Sequence, residues 1–456
     1  MNAKMYAALL MLANLISACA QKDESRQIGR MSEDALQHGT AYQNLDQLCK
    51  IAPGRMIGSP NLAKAIQLTL GMLDQLHPDT LYLQPVMGPH WEAGNTPAAS
   101  ITSSKHGQAR IRVLPLGNSV ATPPSGITAK VVEVTRWGEL DSLGKAKIEG
   151  NIVFFNRPMD TTGVSPFAAY GKAVDQRVQG ASRAAKLGAV GVLVRSVTTS
   201  IDTFPHTGVM YYKDSIPMIP AVAISTIDAE LLHQWLKDDP STHCFFHTHC
   251  ASFPPAPCFN VIAELKGSKY PREIITIGGH LDSWYNAGGA NDDGAGCVQS
   301  IEVLRLLKDA GYKPRHTIRI VMFMDEEISQ AGGKKYAESL QTAGEKPVLG
   351  VESDRGSFAP VGFGISADSA KYASFISWEK YFKSFGIPAF TRGGGGADVS
   401  PLGGLGAITA SYIPDGKTYF NYHHSAADQI EHVNPRDLEE GSAAMAAFVY
   451  LFDKYR

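Results

Sequence analysis

The chain is predicted to fold as α/β, with a mainly parallel sheet that carries the chemistry and a second α/β unit inserted into it. Three observations lead there. In the second half, β-branched apolar runs alternate with amphipathic stretches of helical period, the pattern of strand–helix–strand units. Between about 117 and 262 the same alternation recurs on shorter elements, set off by the Pro/Gly-rich stretch GNSVATPPSG at 117–126. The 456 residues also exceed the roughly 100–200 of a single domain. A composition of 44% hydrophobic and 19% charged residues excludes wholesale disorder. Forty-two basic against 44 acidic residues, with no Lys/Arg run to track phosphates, exclude nucleic acid as a partner.

The elements follow in chain order. Met5 to Ala18 (MYAALLMLANLISA) is apolar, follows Lys4, and is shorter than the ~20 residues of a spanning helix. Residues 1–18 therefore read as a secretion signal. The run ends in Ile16-Ser17-Ala18-Cys19, which resembles a bacterial lipobox, with the Cys19 thiol as the lipid attachment point. Ala20 rather than Asp follows, which points to the periplasmic side of an outer membrane, with Cys19 as the membrane anchor. The polar QKDESRQ reads as a short tether within an N-terminal segment, 19–40. From Ala41 to Leu76, apolar residues at helical spacing around Pro53-Gly54 predict two helices. They open the first part of the main unit, 41–116.

The inserted unit, 117–262, is read from GNIVFFN (strand), GASRAAKLGA (helix), VGVLVRS and IPAVAIS (strands), and DAELLHQWLKDD (helix), closing at PPAPCFN. HCFFHTHC near its end offers zinc-competent His243, His247 and His249, but its alternation fits a strand and the Cys-x-x-Cys spacing of structural zinc is absent. In an oxidising compartment Cys244, Cys250 and Cys258 are close enough for one local disulfide of unassigned pairing. The second part of the main unit, 263–456, brings REIITIGGH (strand), CVQSIEVLRLLKDAG (helix), HTIRIVMFMDEE, KPVLGVESD and GAITASYIP (strands) and a C-terminal helix. Ligands bind beyond the carboxyl ends of such strands.

Acids and histidines gather at those ends. In GGHLDSW, His280 and Asp282 lie on one face of a strand end, so Asp282 can orient the His280 ring as a carboxylate behind a metal ligand. Asp292 and Asp293 in GGANDDGAG repel each other unless a cation or helix N-terminus intervenes. Asp325, Glu326 and Glu327 end the next strand, where adjacent side chains diverge and one Glu can bind metal while the other handles protons. ESD adds Asp354, and YHHS adds His423 and His424. Each motif alone is ordinary; together they form a donor set of histidine and carboxylate without thiolate, which suits zinc or a similar divalent ion.

In order, GGHLDSW, NDDGAG, DEE, ESD and YHHS resemble the dizinc exopeptidase family that includes bacterial aminopeptidases and glutamate carboxypeptidases. PHWEAG, GNSVATPPSGITAKVVEV, QGASRAAKLGAVGVLVRSV and PHTGVMYY extend the similarity over nearly everything after the tether. The resemblance implies a peptide substrate, two Zn²⁺ per chain, a protease-associated domain as the insertion, and a homodimer. It implies His280 and Asp354 on one zinc, Glu327 and His424 on the other, Asp292 bridging, Glu326 as catalytic acid/base, and Asp282 behind His280. His424 rather than His423 is implied because the family's ligand immediately precedes a Ser or Thr, here Ser425. Asp325 and Gln429 depart from the family pattern without touching an implied ligand.

Two ions sharing a water lower its pKa from 15.7 towards ~7. Dipeptides or short peptides are thus the expected substrates; a glutaminyl cyclase or a non-catalytic binding protein on the same frame is the alternative. The glycines 393–396 before Asp398 read equally as a flexible loop or a substrate-proximal one, and Trp91 reads as packing.

Overall fold

Ile28, Met31 and Ala35 recur at helical spacing, and in the computed structural model, which describes residues 23–456 except Val164, they are buried in the main core on a helix, α1 (23–38). Glu24 on α1 accepts from the Tyr455 hydroxyl at 2.6 Å and pairs with Lys454 at 2.8 Å. The tether expected at QKDESRQ is therefore folded helix from residue 23. The secretion signal and Cys19 lie outside the described residues.

Further elements are α2 (Ala41–Ile51), α3 (Pro60–Asp74), β1 (Thr80–Glu92), β2 (Ala98–Ser103), β3 (Gly107–Arg110), β4 (Val113–Pro115), β5 (Ile127–Val134), α4 (Trp137–Ile148), β6 (Ile152–Phe155), α5 (Pro166–Ala173), α6 (Asp175–Lys186), β7 (Gly191–Arg195), β8 (Ala221–Ile224), α7 (Thr226–Asp238) and β9 (His243–His247). There follow β10 (Ala251–Leu265), β11 (Tyr270–His280), α8 (Ala295–Asp309), β12 (His316–Phe323), α9 (Ala331–Ala343), β13 (Lys346–Glu352), β14 (Pro360–Ser366), α10 (Ser369–Ile376), α11 (Glu379–Phe382), β15 (Thr391–Arg392), α12 (Ser400–Gly404), β16 (Ile408–Pro414) and α13 (Pro435–Tyr455).

The main sheet runs β1-β10-β12-β11-β13-β16-β14-β15. Its centre, β12-β11-β13-β16, is parallel, as the alternation predicts, while β1, β10 and β14 pair antiparallel at the flanks. The apolar faces of α1, α3, α8 and α13 cover one side and those of α9 and α12 the other. Parallel strands buried on both faces read as continuous apolar runs, which is why β11 and β12 were legible. Edge strand β1 carries Pro85 and Pro89, residues that an edge tolerates and that disguise a strand in the sequence.

The second sheet, β3-β2-β9-β5-β6-β7-β8-β4, takes residues from Ala98 to His247. It thus begins and ends earlier than the expected 117–262. GNSVATPPSG is a loop inside this unit, and PPAPCFN belongs to β10, which with β1 forms a long ribbon between the two sheets. The expected disulfide is absent: Cys244, Cys250 and Cys258 are free and buried in three different clusters, one in the second sheet, one beneath Trp91 and Trp284, and one in the main core. Among the described residues no helix is long and apolar enough to cross a membrane.

Candidate metal centre

Four strands of the parallel centre end at one cleft. β11 ends on His280, β12 leads into Asp325–Glu327, β13 ends two residues before Asp354, and the segment after β16 carries His423 and His424. The glycine-rich loop before α8 adds Asp292. His280 Nε2 lies 3.3 Å from Asp292 Oδ1 and 3.6 Å from Asp354 Oδ1. His424 Nε2 lies 3.3 Å from Asp292 Oδ2 and 3.2 Å from Glu327 Oε2. Asp292 therefore belongs to two clusters of donors, one through each oxygen. His423 also approaches Asp292 Oδ2, at 3.7 Å.

These groups fit a cation better than they fit one another. Ligand atoms of His280, Asp292 and Asp354 lie within 4.8 Å of one another. Two carboxylates at that spacing repel by about 3 kcal/mol at an effective dielectric of 20, more than the ~1 kcal/mol of a typical hydrogen bond recovers. His280 Nε2, Asp292 Oδ2, Glu327 Oε1 and Asp354 Oδ1 are buried without a hydrogen-bond partner. Burial holds His423 down to about 3 and His424 well below the usual imidazole range, so both rings are neutral and carry a lone pair. For His280 burial also opposes charge, but the nearby carboxylates of Asp292 and Asp354 outweigh it and raise its pKa.

Each candidate ligand is aimed by atoms behind it. His280 Nδ1 donates to the main-chain oxygen of Asp282 at 3.0 Å, and the Asp282 carboxylate stands 3.7 Å away. That differs from the expectation: the carboxylate instead accepts from the backbone N–H groups of Glu326 and Glu327, each at 3.3 Å, and so fixes the Glu-Glu turn. Asp293 is no ligand candidate. It accepts from the N–H of His280 and of Gly296, both at 3.0 Å, tying the strand end to the start of α8. Asp428 accepts from the backbone of Asn291 and Asp292 at 2.8 and 3.1 Å and holds the loop that presents Asp292.

Two further supports escaped the sequence reading. Arg55 is fully buried, and its guanidinium donates to the carbonyls of Leu281, Gly288 and Gly289 along the same loop. Gly289, at φ +63°, leaves it room, since a Cβ there would sit 2.8 Å from the guanidinium nitrogens. Glu352 accepts from the N–H groups of Asp398 and Val399 at 2.9 and 2.8 Å. Gly396 presses against that carboxylate, so the glycine stretch is packed where it meets the site. Asp398 is fully buried, and burial, then Glu352 and Glu326, push its carboxyl well above the ordinary range. Glu352 itself is pushed up to about 7 by burial and then by Asp354.

Glu326 lines the cleft beside Asp292, Glu327, Asp354 and His424, in a cavity of about 260 Å³. Burial first, and then Asp354, Asp282 and Asp292, raise its pKa well above that of a free Glu. The opposite wall comes from the second unit: Phe167, Tyr170, Arg177, Val209 and Tyr211. Arg177 is buried and donates to Thr207 O at 3.2 Å and Tyr170 Oη at 2.7 Å, with no carboxylate partner among the described residues. Trp91 packs near Tyr285 and donates to Ser119 O at 2.9 Å. Gln429 binds its neighbour Ala426 and Asp325 binds Ser329, neither reaching the cluster.

Comparison with known proteins places these residues in a family. The model of peptidase family M28 matches residues 260–449, the span that carries all of the clustered acids and histidines. Human carboxypeptidase Q is 34% identical over 411 residues, 90% of this chain and 84% of the relative. A solved M28 peptidase precursor from Shewanella amazonensis SB2B superposes with a TM-score of 0.90 at 32% identity, over 95% of this chain and 97% of that one. The zinc aminopeptidase BSAP from Bacillus subtilis shares the fold, with a TM-score of 0.65 at 20% identity over 91% and 95% of the two chains.

Proposed function

The chain belongs to peptidase family M28, and from that premise we propose that it is a dizinc exopeptidase acting on dipeptides or short peptides with a free carboxyl end. The observation that carries the reading is Asp292, whose Oδ1 lies 3.3 Å from His280, itself 3.6 Å from Asp354, and whose Oδ2 lies 3.3 Å from His424, itself 3.2 Å from Glu327. Those five residues are the proposed ligands. When bound, divalent ions there would polarise a scissile carbonyl and make water nucleophilic at neutral pH.

The chain's own residues do the rest. Glu326 faces the cleft without a described hydrogen bond to its carboxylate, free to take a proton from water and return it to the leaving amine. Asp282 keeps Glu326 and Glu327 pointing in different directions by binding both of their N–H groups.

Arg177 supports the choice of substrate end. A buried guanidinium without a carboxylate partner among the described residues leaves its charge and its Nε–H uncompensated, and a substrate carboxylate supplies what it lacks. The second unit is proposed to be a protease-associated domain. The Ile16–Cys19 sequence supports a periplasmic, lipid-anchored location.

A dipeptide library assayed with and without chelator tests the reading, with each peptide offered as free acid and as C-terminal amide. Free dipeptides should be hydrolysed, amides poorly, and both should stop with chelator. An N-terminal glutaminyl peptide that cyclises faster than any dipeptide is cleaved would replace hydrolysis with cyclisation.

A further inference from the structure

His424 sits at φ +60°, a left-handed conformation that a histidine adopts only when its surroundings hold it there. Much of the holding comes from the second unit. Thr207 N donates to His424 O at 3.0 Å, and His424 Nδ1 lies 3.2 Å from Thr207 O. Nδ1 also lies 3.4 Å from Arg177 Nη1, which can only donate, but the shorter contact is to a carbonyl that can only accept; it assigns the proton to Nδ1 and turns the Nε2 lone pair towards Asp292 and Glu327. One residue earlier, His206 Nδ1 donates to the main-chain oxygen of His423 at 2.6 Å. Thr198 Oγ1 donates to Phe420 O at 2.5 Å and Thr199 Oγ1 to Asn421 Oδ1 at 2.8 Å.

The bracket is rigidly rooted in its own unit. His206 N donates to Ser196 Oγ at 2.8 Å, beside β7, and Thr207 Oγ1 donates to Pro115 O at 2.6 Å at the end of β4. Gly117 N donates to Gly208 O at 2.9 Å. All of His206, Thr207 and Thr198 are buried.

We propose that His206 is a positioning residue of the metal centre: by fixing the His423 main chain it lets the second unit, which supplies no ligand, set the affinity of the Glu327–His424 half. The proposal rests on the reading of His424 as a ligand. Residues that orient a ligand from behind typically cost 10–100-fold in metal affinity when lost.

The test is stepwise Zn²⁺ binding to the metal-free full-length protein, in competition with a chromophoric chelator. His206→Leu should weaken one of the two ions by about 10–100-fold and leave the other unchanged. His206→Asn, whose side-chain amide can place a donor where Nδ1 stood, should restore binding to near the wild-type value. The melting temperature of the metal-free protein should separate the two variants far less than zinc affinity does. Equal binding of both ions by wild type and His206→Leu would overturn the proposal, as would a His206→Asn variant as weak as His206→Leu. Should His206→Leu not fold, Thr198→Val removes a second arm of the bracket and should weaken the same ion; unchanged binding there overturns the proposal equally. His424→Ala is the control for the underlying reading. It should lose that ion outright, and unchanged binding of both ions by His424→Ala would remove His424 as a ligand.

Discussion

The two halves of the candidate centre share Asp292 but are built differently. His280 terminates β11 and Asp354 lies just past β13, two strands paired in parallel at the middle of the sheet. Their aim follows from backbone that is hydrogen-bonded on both sides. Glu327 and His424 lie on turns beyond the strands, one fixed by Asp282 and the other by a loop of the second unit. The lesson is that a site can have one half specified by a sheet and the other by the contact between two sheets. The first lies wholly within the main sheet, while the second takes the support of His424 from the second unit.

Variants that break this comparison can be ranked by expected effect. Asp292→Asn removes the ligand common to both halves, so metal analysis after dialysis should find neither ion retained; retention of one would mean that a half stands without it. Glu326→Gln should leave both halves loaded yet cut kcat by about 10²–10⁴-fold, read by zinc content beside dipeptide turnover.

Arg177→Met sharpens the difference from the substrate side, because only the half next to the second unit carries that cation. A hydrogen bond to a charged group contributes about 1.5–3 kcal/mol, so the variant should raise KM for free dipeptides by roughly 10–150-fold and leave amidated ones nearly unaffected. Equal losses for both substrates would assign Arg177 to packing.

The smallest effect lies away from the cleft and shows what a buried carboxylate does where no ion is expected. Glu439 accepts from Tyr42 N at 3.2 Å at the start of α2, and burial, then Glu302, push its pKa up to about 8 from an ordinary 4.5. The folded state thus holds a proton that the unfolded state releases, so its contribution is present below about 4.5 and is lost as pH rises through 8. Thermal unfolding of Glu439→Gln should lack that decline, measured between about pH 5 and 8.

Much of the site was legible because its chemistry is local. His280, Asp292, Glu326, Glu327 and Asp354 stand within or next to apolar strands and a glycine-rich turn, and such strands must emerge at one edge of a parallel sheet. The supports were harder to read. Arg55 looks like any surface arginine until the loop at 281–289 folds over it, and Asp293 looks like a second ligand until the N–H of His280 reaches it. QKDESRQ reads as a tether because its own residues are polar, while the apolar face that continues its helix begins only at Ile28.

Residue order alone thus determined the central parallel strands, the helices between them and the acids and histidines at their ends, because hydrophobic periodicity and turn chemistry act over a few residues. The tertiary structure decided which carboxylate of each pair faces the cleft, where the second unit begins, and what holds His423 and His424. Those depend on contacts between residues distant in sequence, from Asp282 with Glu326, 44 positions apart, to His206 with His423, 217 apart, and no local pattern encodes a partner at such distances.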